Sequence, residues 1–294
     1  MNSKEGFLHL GEEDACPPEQ AKALMIPFGL EASVSYEGGT AKGPQAVLDA
    51  SPELEYFDEV FWRECFRDYG IATLQEPVIE KDLPKALDQL EGIVAKALSA
   101  GHFPLVVGGE HSLTAGAIRP YAKRHEQLTI LQFDAHADLR DGYDGDHYSH
   151  AAAMCRCLDH DNVRLVSVGI RNISAEELPI LESNSNRIDI FWMKDRKSWD
   201  VSDVAKAVGN GPVYLTFDID GFDASMIPAT GTPEPGGLNW WEVMDMIDAV
   251  SQNASIVGAD VVELAPRDGL HACDFLTAKL CYKIMSYALR HTFK

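Results

Sequence analysis

The sequence predicts an α/β protein: one three-layer α/β/α domain over residues 1–294, built on a mainly parallel sheet. Three observations predict it. Short apolar runs alternate along the chain with segments of helical period, the pattern of a parallel sheet covered by helices on both faces. Several runs end directly in His, Asp and Glu residues, where open α/β sheets hold their ligands, beyond the carboxyl ends of the strands. No linker, repeat or low-complexity tract divides the 294 residues, a length that one buried core can serve.

Residues 1–20, with the acidic stretch GEED (11–14), show no period and are expected to be irregular, solvated chain. AKALMIPFG (21–29) holds an early strand. GPQAVLDAS (43–51) opens a helix with Pro44 in its first turn, where the missing N–H costs nothing. PKALDQLEGIVAKALSAG (84–101) is an amphipathic helix stopped at Gly101. FPLVV (103–107) is a strand, LTAGAIRPYAKRH (113–125) a helix disturbed at Pro120, and LTILQF (128–133) a further strand. Cys155 and Cys157 flank Arg156 in a helix that follows His150. RLVSVGI (164–170), RIDIFWM (187–193) and VYLTF (213–217) read as strands. The Gly/Pro-rich stretch 228–237 is a loop. NWWEVMDMIDAVSQN (239–253) is helical, with Trp240 and Trp241 as packing groups. SIVGADVVEL (255–264) is a buried strand, and CDFLTAKLCYKIMSYALR (273–290) is the closing helix.

Composition excludes whole classes of partner. Forty-six acidic residues against 25 basic ones leave a net charge of −21, which repels nucleic acid and anionic membranes. No apolar run approaches the roughly 20 residues that span a bilayer. The first residues lack the basic, apolar and small-residue order of a secretion signal. The six cysteines form no CxxC pair and no metal-finger spacing, so they are expected as free thiols of a cytoplasmic protein.

The chemistry lies in three short motifs. His111 sits in GGEHS (108–112); Asp134, His136 and Asp138 sit in DAHAD; Asp218 and Asp220 sit in FDIDGFD (217–223). Alternate residues of an extended chain face one side, so each set converges if DAHAD and FDID continue their strands. Four carboxylates packed together repel one another at low dielectric, and two divalent cations would neutralise them. Two imidazoles with four carboxylates suit Mn²⁺, with Co²⁺, Ni²⁺ and Zn²⁺ also compatible, and the absence of thiolate argues against structural zinc. Two cations that share ligands turn water into a nucleophile at neutral pH, which makes the chain a hydrolase candidate.

Together with SYEGGTAKGPQAVLDAS (35–51), SHAAAM (149–154), FDIDGFDASMIPATGTPEPGG (217–237) and VVELAP (261–266), these motifs resemble the ureohydrolases, the arginase and agmatinase family, over nearly the whole chain. The resemblance implies an arginase-like fold, a homo-oligomer (trimer or hexamer), two Mn²⁺ per subunit and hydrolysis of a guanidino group to urea and an amine. It also implies roles. His111, Asp134, Asp138 and Asp218 would hold one metal, and His136, Asp134, Asp218 and Asp220 the other, with Asp134 and Asp218 bridging. Glu263 would pair with the substrate guanidinium, and His150 would position substrate or shuttle a proton. Where the family usually has Asp and Pro, this chain has Glu110 and Ala224.

The mechanism has two further needs. Glu263 can grip two N–H groups of a planar guanidinium in a fork, holding its carbon over the activated water. The departing amine needs a proton, from Asp138, Asp220 or His150, whose ordinary pKa lies nearest neutrality. The loop LRDGYDGDHYS (139–149) sets Asp141, Asp144 and Asp146 against Arg140 and contains no Asn of the kind arginases use for the amino-acid end. Such a loop favours a small cationic guanidino substrate, with Asp141 and Asp144 as tail contacts. Agmatine, giving putrescine and urea, is the leading expectation. Arg140 keeps guanidino-acid hydrolases (guanidinobutyrase or guanidinopropionase type) as alternatives, beside arginase, formiminoglutamase and a non-catalytic metal-binding relative.

Overall fold

A computed structural model describes residues 1–293. Eight strands form one sheet: β1 (Ala23–Phe28), β2 (Ile71–Thr73), β3 (Phe103–Gly108), β4 (Leu128–Phe133), β5 (Val163–Val168), β6 (Ile188–Phe191), β7 (Pro212–Asp218) and β8 (Ser255–Val262). Their order is β2-β1-β3-β8-β7-β4-β5-β6, and every pairing is parallel. The helices are α1 (Gly43–Ala50), α2 (Phe66–Tyr69), α3 (Leu83–Ser99), α4 (Leu113–Ala117), α5 (Arg119–Arg124), α6 (Ala153–Cys157), α7 (Leu178–Ser183), α8 (Val201–Val208), α9 (Trp240–Asn253) and α10 (His271–Ala288).

The predicted three layers are present. Successive strand residues point to opposite faces, so Leu105 and Val107 join one core while Val106 joins the other. One core packs α1, α8, α9 and α10 against the sheet; the other packs α3, α4, α5 and α6. Local chemistry fixes the helix ends. Asp82 caps α3 by accepting from the Lys85 N–H, and Asn239 with Glu242 forms a reciprocal capping box on α9. The 113–125 segment splits at Ile118, with Pro120 in the first turn of α5 rather than inside a continuous helix.

Two elements depart from expectation. The first 20 residues are irregular, but they are not merely solvated: Phe7, Leu8 and Leu10 are buried. The Phe7 N–H donates to Thr73 Oγ1 at 3.0 Å and the Leu8 N–H to Ser51 Oγ at 2.8 Å, which straps this segment over the core. The run 187–193 yields only a four-residue strand, because its end turns into a 3-10 helix over Met193–Ser198. Among the described residues, no helix is long and apolar enough to cross a membrane, and all six cysteines are free thiols.

The chain direction places the site. Strands β3 and β4 are consecutive in sequence, yet β8 and β7 lie between them in the sheet. Connections therefore leave in opposite directions at the sheet centre and open a crevice above the carboxyl ends. The chain at and beyond these four strand ends carries His111, Glu263, Asp218 with Asp220, and Asp134 to Asp138.

Candidate metal centre and active site

All six expected metal ligands converge in this crevice, although not by strand alternation. Strand β4 ends at Phe133, and DAHAD is a turn in which Asp134 Oδ1 accepts the His136 N–H at 2.6 Å. Strand β7 includes Asp218, but Asp220 lies in a 3-10 turn, its N–H donating to Asp218 Oδ1 at 2.9 Å. Short Asp side chains bonded to their own backbone bend each motif back on itself. Asp138 has φ 51° and Glu263 φ 67°, both in the left-handed region that non-glycine residues rarely occupy. Strain of this kind collects at functional sites. The Met154 and Cys155 N–H groups at the start of α6 donate to the Asp138 carbonyl and hold its turn.

The ligand atoms fall into two groups that share one residue. His111, Asp134 and Asp218 form the first, and Asp134, His136 and Asp220 the second. His111 Nδ1 lies 3.1 Å from Asp134 Oδ2, 3.0 Å from Asp138 Oδ2 and 3.5 Å from Asp218 Oδ2. His136 Nδ1 lies 3.0 Å from Asp220 Oδ2 and 3.6 Å from Asp134 Oδ1. Asp134 thus turns one carboxylate oxygen to each histidine. Asp218 belongs only to the first group here, not to both.

Two observations test whether divalent cations fit. His111 is 1% exposed, and its Nδ1 makes no hydrogen bond despite three carboxylates around it. A buried nitrogen lone pair without a donor is what a metal ligand offers. The carboxylates are also crowded. Burial, then the neighbouring Asp134, push Asp138 up to about 6; burial, then Asp220 and Asp134, push Asp218 well above the carboxylate range. Positive charge between them would relieve that repulsion. The donor set therefore fits a pair of hard or borderline cations.

Behind His111 lies a buried relay that the motifs did not reveal. Its Nε2 is 2.9 Å from Thr216 Oγ1, and Thr216 donates to Asp260 Oδ1 at 2.6 Å. Tyr214 and Thr114 hydroxyls also donate to Asp260, at 2.7 and 2.9 Å. With three hydroxyl protons committed to Asp260, Thr216 is left to accept from Nε2–H, so Nδ1 faces the ligand group unprotonated. Asp260→Asn is expected to lower metal affinity about 10- to 100-fold, the usual effect of losing such support. Metal titration by calorimetry checks it, and wild-type affinity would remove Asp260 from the site. One signal was available in the sequence: an acid in the middle of an otherwise apolar strand.

A cavity of about 170 Å³ opens above the ligands. Glu263 forms part of its floor, accepting the His111 N–H at 2.7 Å; burial, then Glu110, push its carboxyl up to about 8. His150 lines the wall. Burial pulls its pKa down to about 4, against the Ser33 contact, which favours the charged form. Burial thus favours the uncharged imidazole, which can accept an N–H.

The acidic loop departs most from expectation. Arg140 and Tyr143 line the cavity, but Asp141 and Asp144 do not. Asp141 is drawn outward by Arg156, 2.6 Å away, and Asp144 sits at the tip of a tight turn closed by reciprocal backbone bonds between Tyr143 and Asp146. The outer wall comes instead from Ser33 to Glu37, of which residues 35–37 open the SYEGGTAKGPQAVLDAS stretch but were given no role there. Glu37 pairs with Arg267 there. Gly109 lets this segment approach, since a Cβ at that position would lie 2.0 Å from the Leu30 carbonyl oxygen.

A parallel α/β sheet with a His/Asp cluster over its central carboxyl ends defines a metal-dependent hydrolase by fold and site. Comparison with known proteins makes the family definite. A sequence profile of the Arginase family matches residues 21–287. The N(1)-aminopropylagmatine ureohydrolase of Synechocystis sp. is 36% identical over 278 residues, which cover 91% of this chain and 89% of that protein. The agmatinase of Bacillus anthracis is 32% identical over 252 residues, 84% of this chain and 85% of that one. The crystal structure of agmatine ureohydrolase of Thermoplasma volcanium superposes with a TM-score of 0.85 at 28% identity, covering 95% of this chain and 94% of that one. The chain belongs to the Arginase family: it is a hydrolase of the arginase and agmatinase type, with the arginase-like fold that its sequence predicts.

Proposed function

We propose that the protein hydrolyses the guanidino group of agmatine to urea and putrescine, with two Mn²⁺ ions held by His111, Asp134, His136, Asp138, Asp218 and Asp220. The observation that carries this reading is the Asp134 carboxylate, divided between two histidine-containing ligand groups directly beneath the cavity that Glu263 and His150 line. When bound, such an ion pair supplies a water activated for attack at neutral pH. Everything else falls to the chain. The Glu263 carboxyl, loaded with a cation, gives up its proton and grips the guanidinium N–H groups. Neutral His150 accepts a further substrate N–H. The proton for the departing nitrogen comes from the groups that line the cavity, Asp138, Asp220 or His150.

A cationic tail suits the cavity. Its floor is carboxylate, and the Arg140 guanidinium in the wall is already paired with Glu176. A second reading, N(1)-aminopropylagmatine, is favoured by the likeness to the Synechocystis enzyme and differs in a tail that is longer and carries one more amine. The deciding experiment is a urea-release screen of Mn²⁺-loaded protein over agmatine, N(1)-aminopropylagmatine, arginine, guanidinobutyrate and guanidine. Agmatine turned over at least tenfold more efficiently than guanidinobutyrate supports the reading; a preference for a carboxylate tail refutes it. Because Asp141 and Asp144 face away from the cavity, the Asp141→Asn/Asp144→Asn double variant is expected to change the KM for agmatine less than about twofold, as screened surface charges do. A large rise in KM would return these residues to the tail site.

A further inference from the structure

The wall segment Ser33–Glu37 is tied to the buried residue Glu110. This carboxylate is fully buried, and four donors converge on it. The Ala32 and Ser33 N–H groups both reach Oε2 at 2.5 Å, while the hydroxyls of Ser33 and Ser112 reach Oε1 at 2.8 and 2.5 Å. Glu31 closes the other side of the loop, its Oε2 accepting from the Gly39 and Ala41 N–H groups and from Thr40 Oγ1. The segment is therefore a moored wall, and it touches His150 twice. Ser33 Oγ lies 3.1 Å from Nδ1 and also accepts the His150 backbone N–H at 2.9 Å; Ser35 Oγ lies 2.8 Å from Nε2. Ser149 Oγ stands farther from Nδ1, at 3.4 Å.

Proton bookkeeping fixes the direction of these contacts. Ser33 has one hydroxyl proton, and it is committed to Glu110. Its oxygen can then only accept, so the contact with Nδ1 requires Nδ1–H. A neutral imidazole protonated at Nδ1 carries its lone pair on Nε2, which accepts from the Ser35 hydroxyl.

We propose that Ser33, anchored by Glu110, is a positioning residue that holds His150 as the Nδ1–H tautomer with Nε2 as a bare acceptor in the cavity, and that Ser35 occupies this acceptor until a substrate N–H replaces it. The proposal rests on the reading of the cavity as a guanidino-hydrolase site. It also explains Glu110, whose side chain is long enough to collect loop donors from residues 32 and 33 while leaving Glu263 free for the substrate. Ser35 is a placeholder of the same polarity as the incoming donor, so His150 is never left unsatisfied in the closed wall.

The test combines a spectroscopic signature with kinetics on the full, metal-loaded chain. Long-range ¹H–¹⁵N spectra of the protein loaded with diamagnetic Zn²⁺, with the His150 signal assigned by its loss in His150→Asn, should show Nδ1 protonated and Nε2 unprotonated. Ser33→Ala should abolish this pattern and lower kcat/KM for agmatine about tenfold, the worth of one substrate hydrogen bond. Ser33→Thr, which keeps the hydroxyl, should restore both. Ser35→Ala should move KM for agmatine downward, because nothing then competes for Nε2. A wild-type imidazole protonated at Nε2, or a Ser33→Ala protein with an unchanged imidazole pattern, would overturn the proposal. If no guanidino compound yields urea, the functional reading fails, whereas the imidazole pattern still decides this inference.

Discussion

Asp134→Asn is expected to give a folded protein that retains little metal and loses urea release by on the order of 10³-fold or more. Asp134 is the one residue common to both ligand groups. An asparagine in its place has a single oxygen and no charge, so it cannot serve both His111 and His136. The charge stabilisation that a divalent cation provides is worth several kcal/mol, which converts to about that factor in rate. Metal content by plasma mass spectrometry and urea release, measured on the same sample, decide it. Full activity with two ions bound would sink the shared-centre reading. A parallel loss of activity without loss of metal would show that Asp134 acts on the water rather than on the ions.

Glu263→Gln separates binding of the cations from binding of the substrate. Glu263 belongs to neither ligand group, so the variant should keep its metal content. Its carboxylate is buried and meets the guanidinium away from water, where removing one partner of a charge pair costs about 3–5 kcal/mol, or roughly 10²- to 10⁴-fold in kcat/KM. The amide keeps one acceptor for the His111 N–H, so the loop should stay in place. Unchanged steady-state kinetics would refute the guanidinium role, and a fall in metal content would mean that Glu263 supports the centre rather than the substrate.

Much of this site was legible in the chain because its chemistry is local in sequence. His111, Asp134, His136, Asp138, Asp218 and Asp220 each follow an apolar run, and parallel topology carries all such ends to one side of the sheet. The geometry of convergence was not legible. Strand period was expected to aim the ligands, whereas Asx-type turns aim them, and a turn has no period to read. Asp141 and Asp144 were misplaced for a related reason. Their charge is visible in sequence, but the pull of Arg156 from α6 is a tertiary contact. The same holds for Thr216, Asp260 and the wall Ser33–Glu37, which acquire meaning only through partners distant in the chain. The strap over residues 7–10 was missed because three apolar residues without period do not announce burial.

The position of β8 in the sheet has a consequence for how the protein is made. This strand is the last of the eight to be synthesised, yet it lies between β3 and β7, with Ala259 in register with both Leu105 and Leu215. Until residues 255–262 have emerged, the nascent chain holds two half-sheets, each with an unpaired inner edge of apolar strand. Such edges recruit other chains, and pairings so distant in sequence close slowly. The molecule thus assembles around its final strand as an arch closes on its last stone, and a chain cut before Ser255 is expected to aggregate during synthesis rather than persist as a smaller folded unit.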